Sequence, residues 1–189
     1  MLWEMKTTLK KFDSIRKLFG KKKKWTSYTE RSVTIDNDAY VLREITPDDI
    51  KDLLSIEREV YEGELPWTRS AFLSELSSKN PHLYILAEKE GQTIGFIGCR
   101  VIDFDGHITN VAVAAKGQGK GLGTYLLNEA FEFSESHNCT RVSLEVRLSN
   151  KHAQSVYRKA GFISSKITQA YYDDGEDALE MIKLLDDDQ

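Results

Sequence analysis

The sequence feature that most constrains this chain is a glycine-rich stretch over residues 108–124, which reads ITNVAVAAKGQGKGLGT. Its first half alternates apolar side chains as a half-buried strand does. Glycines then occupy every second position from Gly117 to Gly123, and an apolar helical repeat begins at Leu122. Strand, glycine loop and helix N-terminus in this order favour a phosphate site, because glycine lets backbone N–H groups approach an anion and the helix dipole favours negative charge.

The strand in this stretch has a break in its alternation. Ile108 is one residue out of phase with Val111 and Val113. An extra residue at a β-bulge would produce this offset. The sequence therefore predicts a bulge in this strand.

The spacing of the glycines excludes two common phosphate-binding motifs. A P-loop requires Ser or Thr after Gly-Lys, but Gly119-Lys120 is followed by Gly121. A dinucleotide fingerprint requires Gly-x-Gly-x-x-Gly. If the motif started at Gly117, its last glycine would be Leu122, and if it started at Gly119, its last glycine would be Thr124, so neither start fits. The six residues from Gln118 to Gly123 must therefore be identified from another pattern.

Composition favours one globular domain with an additional segment. The chain has 189 residues and is 40% hydrophobic. Its two cysteines, Cys99 and Cys139, favour reduced thiols over a disulfide framework. No apolar run approaches the ~18 residues of a membrane span, and the N-terminus lacks a secretory apolar core. These features predict a cytoplasmic protein with no membrane span.

Charge is distributed unevenly along the chain. Residues 1–24 carry nine Lys or Arg against Glu4 and Asp13, a net charge of +7. Because the whole chain carries −4, the remainder must carry −11. The apolar spacing in the arm predicts a basic amphipathic helix that could contact an anionic surface, such as ribosomal RNA or a membrane. The alternatives are a solvated tail or an upstream start codon.

The chain is predicted to divide into a basic extension with a linker, residues 1–38, and one domain, residues 39–189. Residues 25–38 are interpreted as the linker. The hydrophobic pattern of the domain predicts the element order β-α-α-β-β-β-α-β-α-β-β. Thr46 and Thr68 are predicted helix caps, Gly161 a helix end, and residues 89–92 and Asp105-Gly106 hairpin turns.

Several motifs together carry a resemblance to a known family. They are Pro66-Trp67-Thr68, the loop QGKGLG over residues 118–123, LEVR over 144–147 with Ser149-Asn150, YRKAGF over 157–162, and Tyr171-Tyr172 with GEDA over 175–178. This set resembles the GNAT family of N-acetyltransferases over residues 39–185, and within it the bacterial ribosomal-protein-alanine N-acetyltransferases of the RimI type. Ala115 and Gly117 depart from the family pattern, but neither removes a backbone donor.

The resemblance implies an α/β GNAT fold, with a central, mixed and mostly antiparallel sheet flanked by helices. It implies acetyl-CoA as co-substrate and no metal. The histidines show no metal-ligand spacing either. The residues expected to bind the coenzyme are Val111, Ala112, Val113, Gln118, Gly119, Lys120, Gly121, Leu122, Gly123, Thr124 and Asn150. Asn150 could equally be an ordinary helix N-cap.

Two catalytic residues are implied. Glu145 lies on the opposite strand face from Val142, Leu144 and Val146, and the resemblance makes it the general base, acting through water. Tyr157 lies on an apolar helix stripe, so core packing is its alternative; the resemblance makes its hydroxyl the general acid for the coenzyme A sulfur. Acyl transfer from a thioester to an amine benefits from both groups, because the amine must lose a proton and the thiolate gain one.

The acceptor is the least determined part of the interpretation. The residues expected to contact it are Trp67, Tyr171, Tyr172, Glu176 and Asp177. The last two could attract a basic peptide or be solvated loop charges. The resemblance implies that the acceptor is the N-terminal alanine of a small-subunit ribosomal protein, modified in a ternary complex. The alternatives are a GNAT enzyme for lysine, another protein N-terminus or a small amine, and a non-catalytic acyl-CoA-binding module.

Overall fold

The computed structural model describes residues 28–61 and 66–185. The predicted helix of the basic arm lies outside the described residues. The strands are β1 (Arg31–Ile35), β2 (Asp38–Glu44), β3 (His82–Lys89), β4 (Gln92–Ile102), β5 (Asp105–Val113), β6 (Arg141–Arg147), β7 (Ile163–Thr168) and β8 (Ala178–Leu184). The helices of the described part are α1 (Ile50–Val60), α2 (Arg69–Leu76), α3 (Leu122–Ser136) and α4 (Lys151–Lys159), with a 3₁₀ turn at Ala115–Gly117.

The strands form one mixed sheet in the order β1-β2-β3-β4-β5-β6-β8-β7. Every neighbouring pair is antiparallel except β5 and β6, which are parallel and are joined by the crossover helix α3. Helices α1 and α2 cover one face and share a core with Phe96 and Ala112. Helices α3 and α4 cover the other face. This arrangement confirms the predicted α/β class with a mixed, mostly antiparallel sheet.

The predicted bulge is present in β5. Gly98 of β4 pairs with Asn110, whereas Cys99 pairs with Ile108, so Thr109 is the extra residue. As a result, Ile108 packs into the same core as Val111 and Val113, on the α3 face. The break in the apolar alternation was therefore a true signal of backbone irregularity.

The predicted linker is wrong over residues 31–35, which form β1. A two-residue turn at Asp36 and Asn37, with φ of 50° and 64°, joins β1 to β2. Asn and Asp tolerate positive φ, which the common two-residue hairpin turn requires. The sheet therefore begins before Ala39, the predicted start of the domain.

One of the two predicted hairpin turns is also displaced. The turn at residues 89–92 is confirmed, but the β4–β5 turn is formed by Asp103 and Phe104, and Asp105 and Gly106 belong to β5. A Cβ atom on Gly106 would overlap the side chain of Ser134 in α3. This glycine is therefore needed for the close approach of helix and strand.

The helix boundaries agree with the predicted caps in two of three cases. Thr68 Oγ1 accepts a hydrogen bond from the Ala71 N–H at 3.1 Å, and Gly161 ends α4 with φ of 95°. The third prediction is wrong, because α1 begins at Ile50 and not at Thr46. Asp49 accepts hydrogen bonds from Thr46 N–H and from both terminal nitrogens of Arg43, which fixes a turn before the helix.

Candidate active site

The central parallel strands separate along their length. Strands β5 and β6 are in register at only three pairs, the last being His107 with Ser143. Beyond that point β5 continues to Val113 and β6 to Arg147 without pairing to each other. The two strands therefore form a wedge, which leaves backbone groups of Val111, Ala112 and Val113 available to an extended ligand.

The glycine loop follows β5 at the wide end of the wedge. Gly119 and Gly121 have φ of 73° and 79°, conformations that favour glycine. Among the described residues, no acceptor is found for the backbone N–H groups from Gly119 to Thr124. Several free donors at the start of a 15-residue helix suit a bound pyrophosphate.

Side chains of the loop have defined partners within the domain. Gln118 Nε2 donates to the Val113 carbonyl at 2.9 Å, and Lys120 Nζ lies 3.0 Å from Asp38 Oδ2. Leu122 is fully buried in the core beneath the loop. The predicted coenzyme residues from Val111 to Thr124 are thus assembled along one edge of the wedge.

Asn150 lies on the other side of the wide end, after the last residues of β6. Its Oδ1 accepts a hydrogen bond from the Ala153 N–H at 2.9 Å, so it is the N-cap of α4. The capping role, one of the two predicted for Asn150, is therefore present. Contact between Asn150 and the coenzyme stays a prediction.

Glu145 lies where the wedge begins to open. Its side chain is 22% exposed and faces away from the core that holds Val142, Leu144 and Val146. Its Oε2 lies 3.4 Å from Nε2 of His107, whose Nδ1 lies 3.0 Å from Ser143 Oγ. A carboxylate and an imidazole in contact at this point can together accept and pass on a proton.

His107 is the residue that sequence reasoning missed. The histidines have no metal-ligand spacing in the sequence, and nothing local in the sequence connects His107 with Glu145. The signal lies in the parallel register, which sets His107 opposite Ser143, two residues before Glu145. A surface cavity of about 400 Å³ opens beside His107 at the β4–β5 hairpin, so this imidazole is reachable from the surface.

Tyr157 lies on α4 and packs edge-on against Phe162, with ring centroids 5.9 Å apart. Among the described residues, its hydroxyl has no hydrogen-bond partner. Burial, followed by the nearby phenols of Tyr61 and Tyr172, raises the pKa of Tyr157. The hydroxyl therefore stays protonated at neutral pH and can donate a hydrogen bond.

The predicted acceptor aromatics lie on two separate segments. Tyr171 and Tyr172, in the β7–β8 loop, pack edge to face with centroids 5.1 Å apart, and Tyr171 is 49% exposed. Burial, followed by the negative charge of Glu145, raises the pKa of Tyr171. Trp67 precedes α2 and stacks at a tilt on Phe72, with centroids 5.0 Å apart.

Glu176 and Asp177 have structural partners within the domain, Glu176 at the end of β6 and Asp177 within the β7–β8 loop. Glu176 accepts hydrogen bonds from Arg147 Nη1 at 2.7 Å and Ser149 N–H at 2.8 Å, and these bonds lower its pKa to about 2. Asp177 Oδ1 accepts from the Ala170 N–H at 2.9 Å. Both carboxylates therefore fix the loop, and their attraction for a basic peptide stays a prediction.

Over residues 28–61 and 66–185, no group of three or more His, Cys, Asp or Glu side chains is arranged to hold a metal ion. None of the helices described there has the length and apolar character needed to cross a membrane.

Comparison with known proteins identifies the family. The model of the acetyltransferase (GNAT) family matches residues 48–162, more than half of the chain. The chain belongs to the GNAT family. It is therefore an acetyl-CoA-dependent N-acetyltransferase.

The relatives include N-terminal acetyltransferases. A Bacillus subtilis protein, provisionally named a ribosomal protein bS18-alanine N-acetyltransferase, is 37% identical over 142 residues, covering 74% of this chain and 92% of the relative. The N-alpha-acetyltransferase RimI of Mycobacterium tuberculosis is 30% identical over 154 residues, covering 79% of this chain and 95% of the relative.

A solved structure shows the same architecture. The ribosomal-protein-S18-alanine N-acetyltransferase of Escherichia coli superposes with a TM-score of 0.69 at 26% identity. The match covers 79% of this chain and 96% of that protein. The resemblance drawn from the motifs is thus confirmed: the chain is a GNAT acetyltransferase, and N-acetyltransferases of the RimI type are among its relatives.

Proposed function

We propose that this GNAT enzyme acetylates a protein N-terminal α-amine, that of an N-terminal alanine on a small-subunit ribosomal protein. The observation that carries the proposal is the contact between Glu145 and His107 at the narrow end of the wedge. The glycine loop lies at the opposite, wide end. The ribosomal acceptor is supported by the Bacillus subtilis and Escherichia coli relatives, which are named for it.

The proposed reaction is direct attack of the acceptor amine on the thioester carbonyl of acetyl-CoA. The amine must be unprotonated, and an α-amine with a pKa of ~7.7–8.0 is largely protonated at neutral pH. Glu145, acting through a water and assisted by His107, accepts the amine proton. The contact at 3.4 Å gives the proton two adjacent sites on the enzyme.

Tyr157 is proposed to protonate the departing sulfur. Its hydroxyl has a raised pKa and no partner among the described residues, so it holds a proton that it can share with the thiolate. A thiol has an ordinary pKa of ~8.5, so a hydrogen-bond donor at the sulfur lowers the cost of breaking the thioester.

The coenzyme is proposed to bind along the wedge. Backbone groups of Val111, Ala112 and Val113 would bind the pantetheine arm. The donors from Gly119 to Thr124 would bind the pyrophosphate, with Gln118 and Lys120 beside them and Asn150 across the wide end. The free N–H groups support this assignment.

The acceptor is proposed to enter between Trp67 and the Tyr171–Tyr172 pair. These rings would narrow the channel so that a free, unbranched N-terminus reaches the thioester. Contact of the basic arm with the ribosome or another polyanion is part of the proposal and rests on the +7 charge of residues 1–24. The proposed location is the cytoplasm.

Mass spectrometry of ribosomal proteins tests the acceptor assignment directly. Ribosomes from cells with and without the enzyme are compared for N-terminal acetylation. We expect one small-subunit protein that begins with alanine to lose the mass of its N-terminal acetyl group in the absence of the enzyme, while the others are unchanged. Identical spectra from the two strains would contradict the ribosomal assignment.

A further inference from the structure

A buried glutamate occupies a core position on α1. The apolar stripe of this helix contains Ile50, Leu53 and Val60, and Glu57 lies on the same side at helical spacing. Its side chain is fully buried, with 0% exposure. A carboxylate at such a position costs free energy unless it is well paired, so an apolar residue would serve packing alone better. The site chemistry proposed above does not use this residue.

The two oxygens of Glu57 have separate partners. Asn110 Nδ2 donates a short hydrogen bond to Oε1, and the Trp67 backbone N–H donates to Oε2 at 3.4 Å. Asn110 is itself 8% exposed and directly follows the bulge in β5. The carboxylate thus connects the segment that begins α2 with the strand that borders the wedge.

Among the residues that the structure describes, no cation compensates the charge of Glu57. Within the described residues, the pKa of Glu57 is shifted by burial and by the hydrogen bonds from Asn110 and Trp67. The pKa of the Tyr61 phenol is in turn raised by burial and by the charge of Glu57. Both neighbours donate. The arrangement as it stands therefore has an acceptor at each oxygen, a condition that the ionised carboxylate meets.

We propose that Glu57 is a positioning residue for the acceptor. By binding both the Trp67 backbone and the Asn110 side chain, Glu57 holds Trp67 at a fixed distance from the wedge. This inference rests on the acceptor role proposed for Trp67. The indole of Trp67 stacks on Phe72, so a shift of its backbone would move the ring that borders the acceptor path. Loss of the Glu57 contact should weaken acceptor binding and leave coenzyme binding unchanged.

Protonation gives the arrangement a pH dependence. Burial raises the pKa of Glu57 to about 7, although the hydrogen bonds from Asn110 and Trp67 oppose this shift. In the protonated form one oxygen carries a proton, so the two donors can no longer both be accepted in their present orientation, and the Asn110 amide must rotate or one contact is lost. The contacts that hold Trp67 therefore rearrange as the pH falls below about 7.

The kinetic test compares a variant without acceptors with one that keeps both contacts. With acetyl-CoA and an alanine-starting, arginine-rich peptide, Glu57→Leu should raise the KM for the peptide by roughly tenfold, the usual effect of one buried donor left unpaired. The Kd for acetyl-CoA should stay within about twofold. Glu57→Gln is the matched control, because the amide that it introduces can accept from the Trp67 N–H and donate to Asn110 once the Asn110 amide rotates, so most of the wild-type peptide KM should be kept. Equal peptide KM values in wild type and Glu57→Leu, or a peptide KM in Glu57→Gln as high as that in Glu57→Leu, would overturn the proposal.

A second measurement does not depend on turnover. In the full chain with Trp3 and Trp25 replaced by Phe, Trp67 is the remaining tryptophan. Its fluorescence should change with a midpoint near pH 7 when Glu57 is present, and should be flat over pH 5–9 in Glu57→Gln. A flat wild-type titration would overturn the inference. If the wild-type enzyme fails to acetylate the peptide, the proposed function fails, and the Trp67 titration still decides the role of Glu57.

Discussion

Nε2 of His107 lies 3.4 Å from Oε2 of Glu145, at the point where β5 and β6 cease to pair. Nδ1 of the same imidazole lies 3.0 Å from Ser143 Oγ, so the ring is held at both nitrogens. Because strand pairing fixes His107 beside Ser143, the sheet itself sets the distance between imidazole and carboxylate. The first two predictions test this pair.

Replacing Glu145 with Gln should leave acetyl-CoA binding intact and lower turnover by roughly 10²–10⁴-fold, the usual contribution of a general base. Calorimetry measures coenzyme binding, and a thiol-release assay measures turnover. Glu180→Gln is a matched control, because Glu180 pairs with Glu145 across the β6–β8 ladder and is bound by Lys166. Wild-type turnover in Glu145→Gln would remove this carboxylate from the mechanism.

His107→Gln should lower kcat/KM by roughly 10–100-fold, because Glu145 loses its proton-sharing partner. Adding this change to Glu145→Gln should cause little further loss, since two residues that act as a unit have non-additive effects. His82→Gln is the control, because His82 bonds to the Asn80 carbonyl instead. Fully additive losses in the double variant would show that the two residues act separately.

Tyr157→Phe should spare coenzyme binding and slow departure of the thiolate. The packing on Phe162 is kept, because only the hydroxyl is removed. The raised pKa of Tyr157 means that the wild-type hydroxyl remains a donor across a pH range bracketing the thiol pKa of ~8.5. Turnover equal to wild type throughout this range would leave Tyr157 with a packing role only.

The features predicted from sequence were those encoded by local pattern. The bulge followed from the phase of Ile108, and the glycine loop from residue spacing alone. The turn was wrongly predicted at Asp105-Gly106, because the glycine is needed there for close packing against Ser134 of α3 and not for a turn. Strand β1 was not predicted because it has few apolar residues. They are partly buried only when β1 pairs with β2 and packs beside α3, and a local pattern does not show this.

The functional pairs that sequence did not reveal are long-range. Glu57 and Asn110 are 53 residues apart, and neither looks unusual in its own segment. His107 reaches Glu145 only through the parallel register. A single sequence carries the periodicity of each element but not the register between elements, and these contacts depend on register.

The stability of the fold should report ionisation of Glu57. Its folded pKa of about 7 lies above the ordinary value of 4.5, so the folded state binds the proton more tightly than the unfolded state. The stability gained from this proton is fully present below pH 4.5 and is lost as the pH rises through about 7. Relative to wild type, Glu57→Gln should therefore gain stability by up to about 3 kcal/mol between pH 4.5 and pH 8.

Thermal or denaturant unfolding at several pH values measures this difference. Asp52→Asn removes an exposed carboxylate from the same helix and serves as the control. A stability difference between Glu57→Gln and wild type that stays constant over this range would show that Glu57 does not titrate there.

The last prediction concerns the choice between an α-amine and a lysine. An N-terminal alanine presents a small side chain and an α-amine that titrates roughly two units or more below the ~10.4 of lysine, so far more of it is deprotonated at neutral pH. The acceptor peptide should also be basic. The chain beyond residue 24 carries −11, and this charge attracts cations at modest ionic strength.

An alanine-starting, arginine-rich peptide should therefore outcompete the same peptide blocked at its N-terminus and carrying one free lysine. Both peptides are placed in one tube with the enzyme and acetyl-CoA, and the time course is read by mass. The advantage of the free α-amine should shrink as the pH rises toward the lysine pKa, because the deprotonated fraction of lysine then increases. Faster labelling of the lysine peptide at neutral pH would reject the α-amine assignment and favour a lysine acetyltransferase. The negative charge of the chain beyond residue 24 would then attract basic peptides whose lysine side chains are the acceptors.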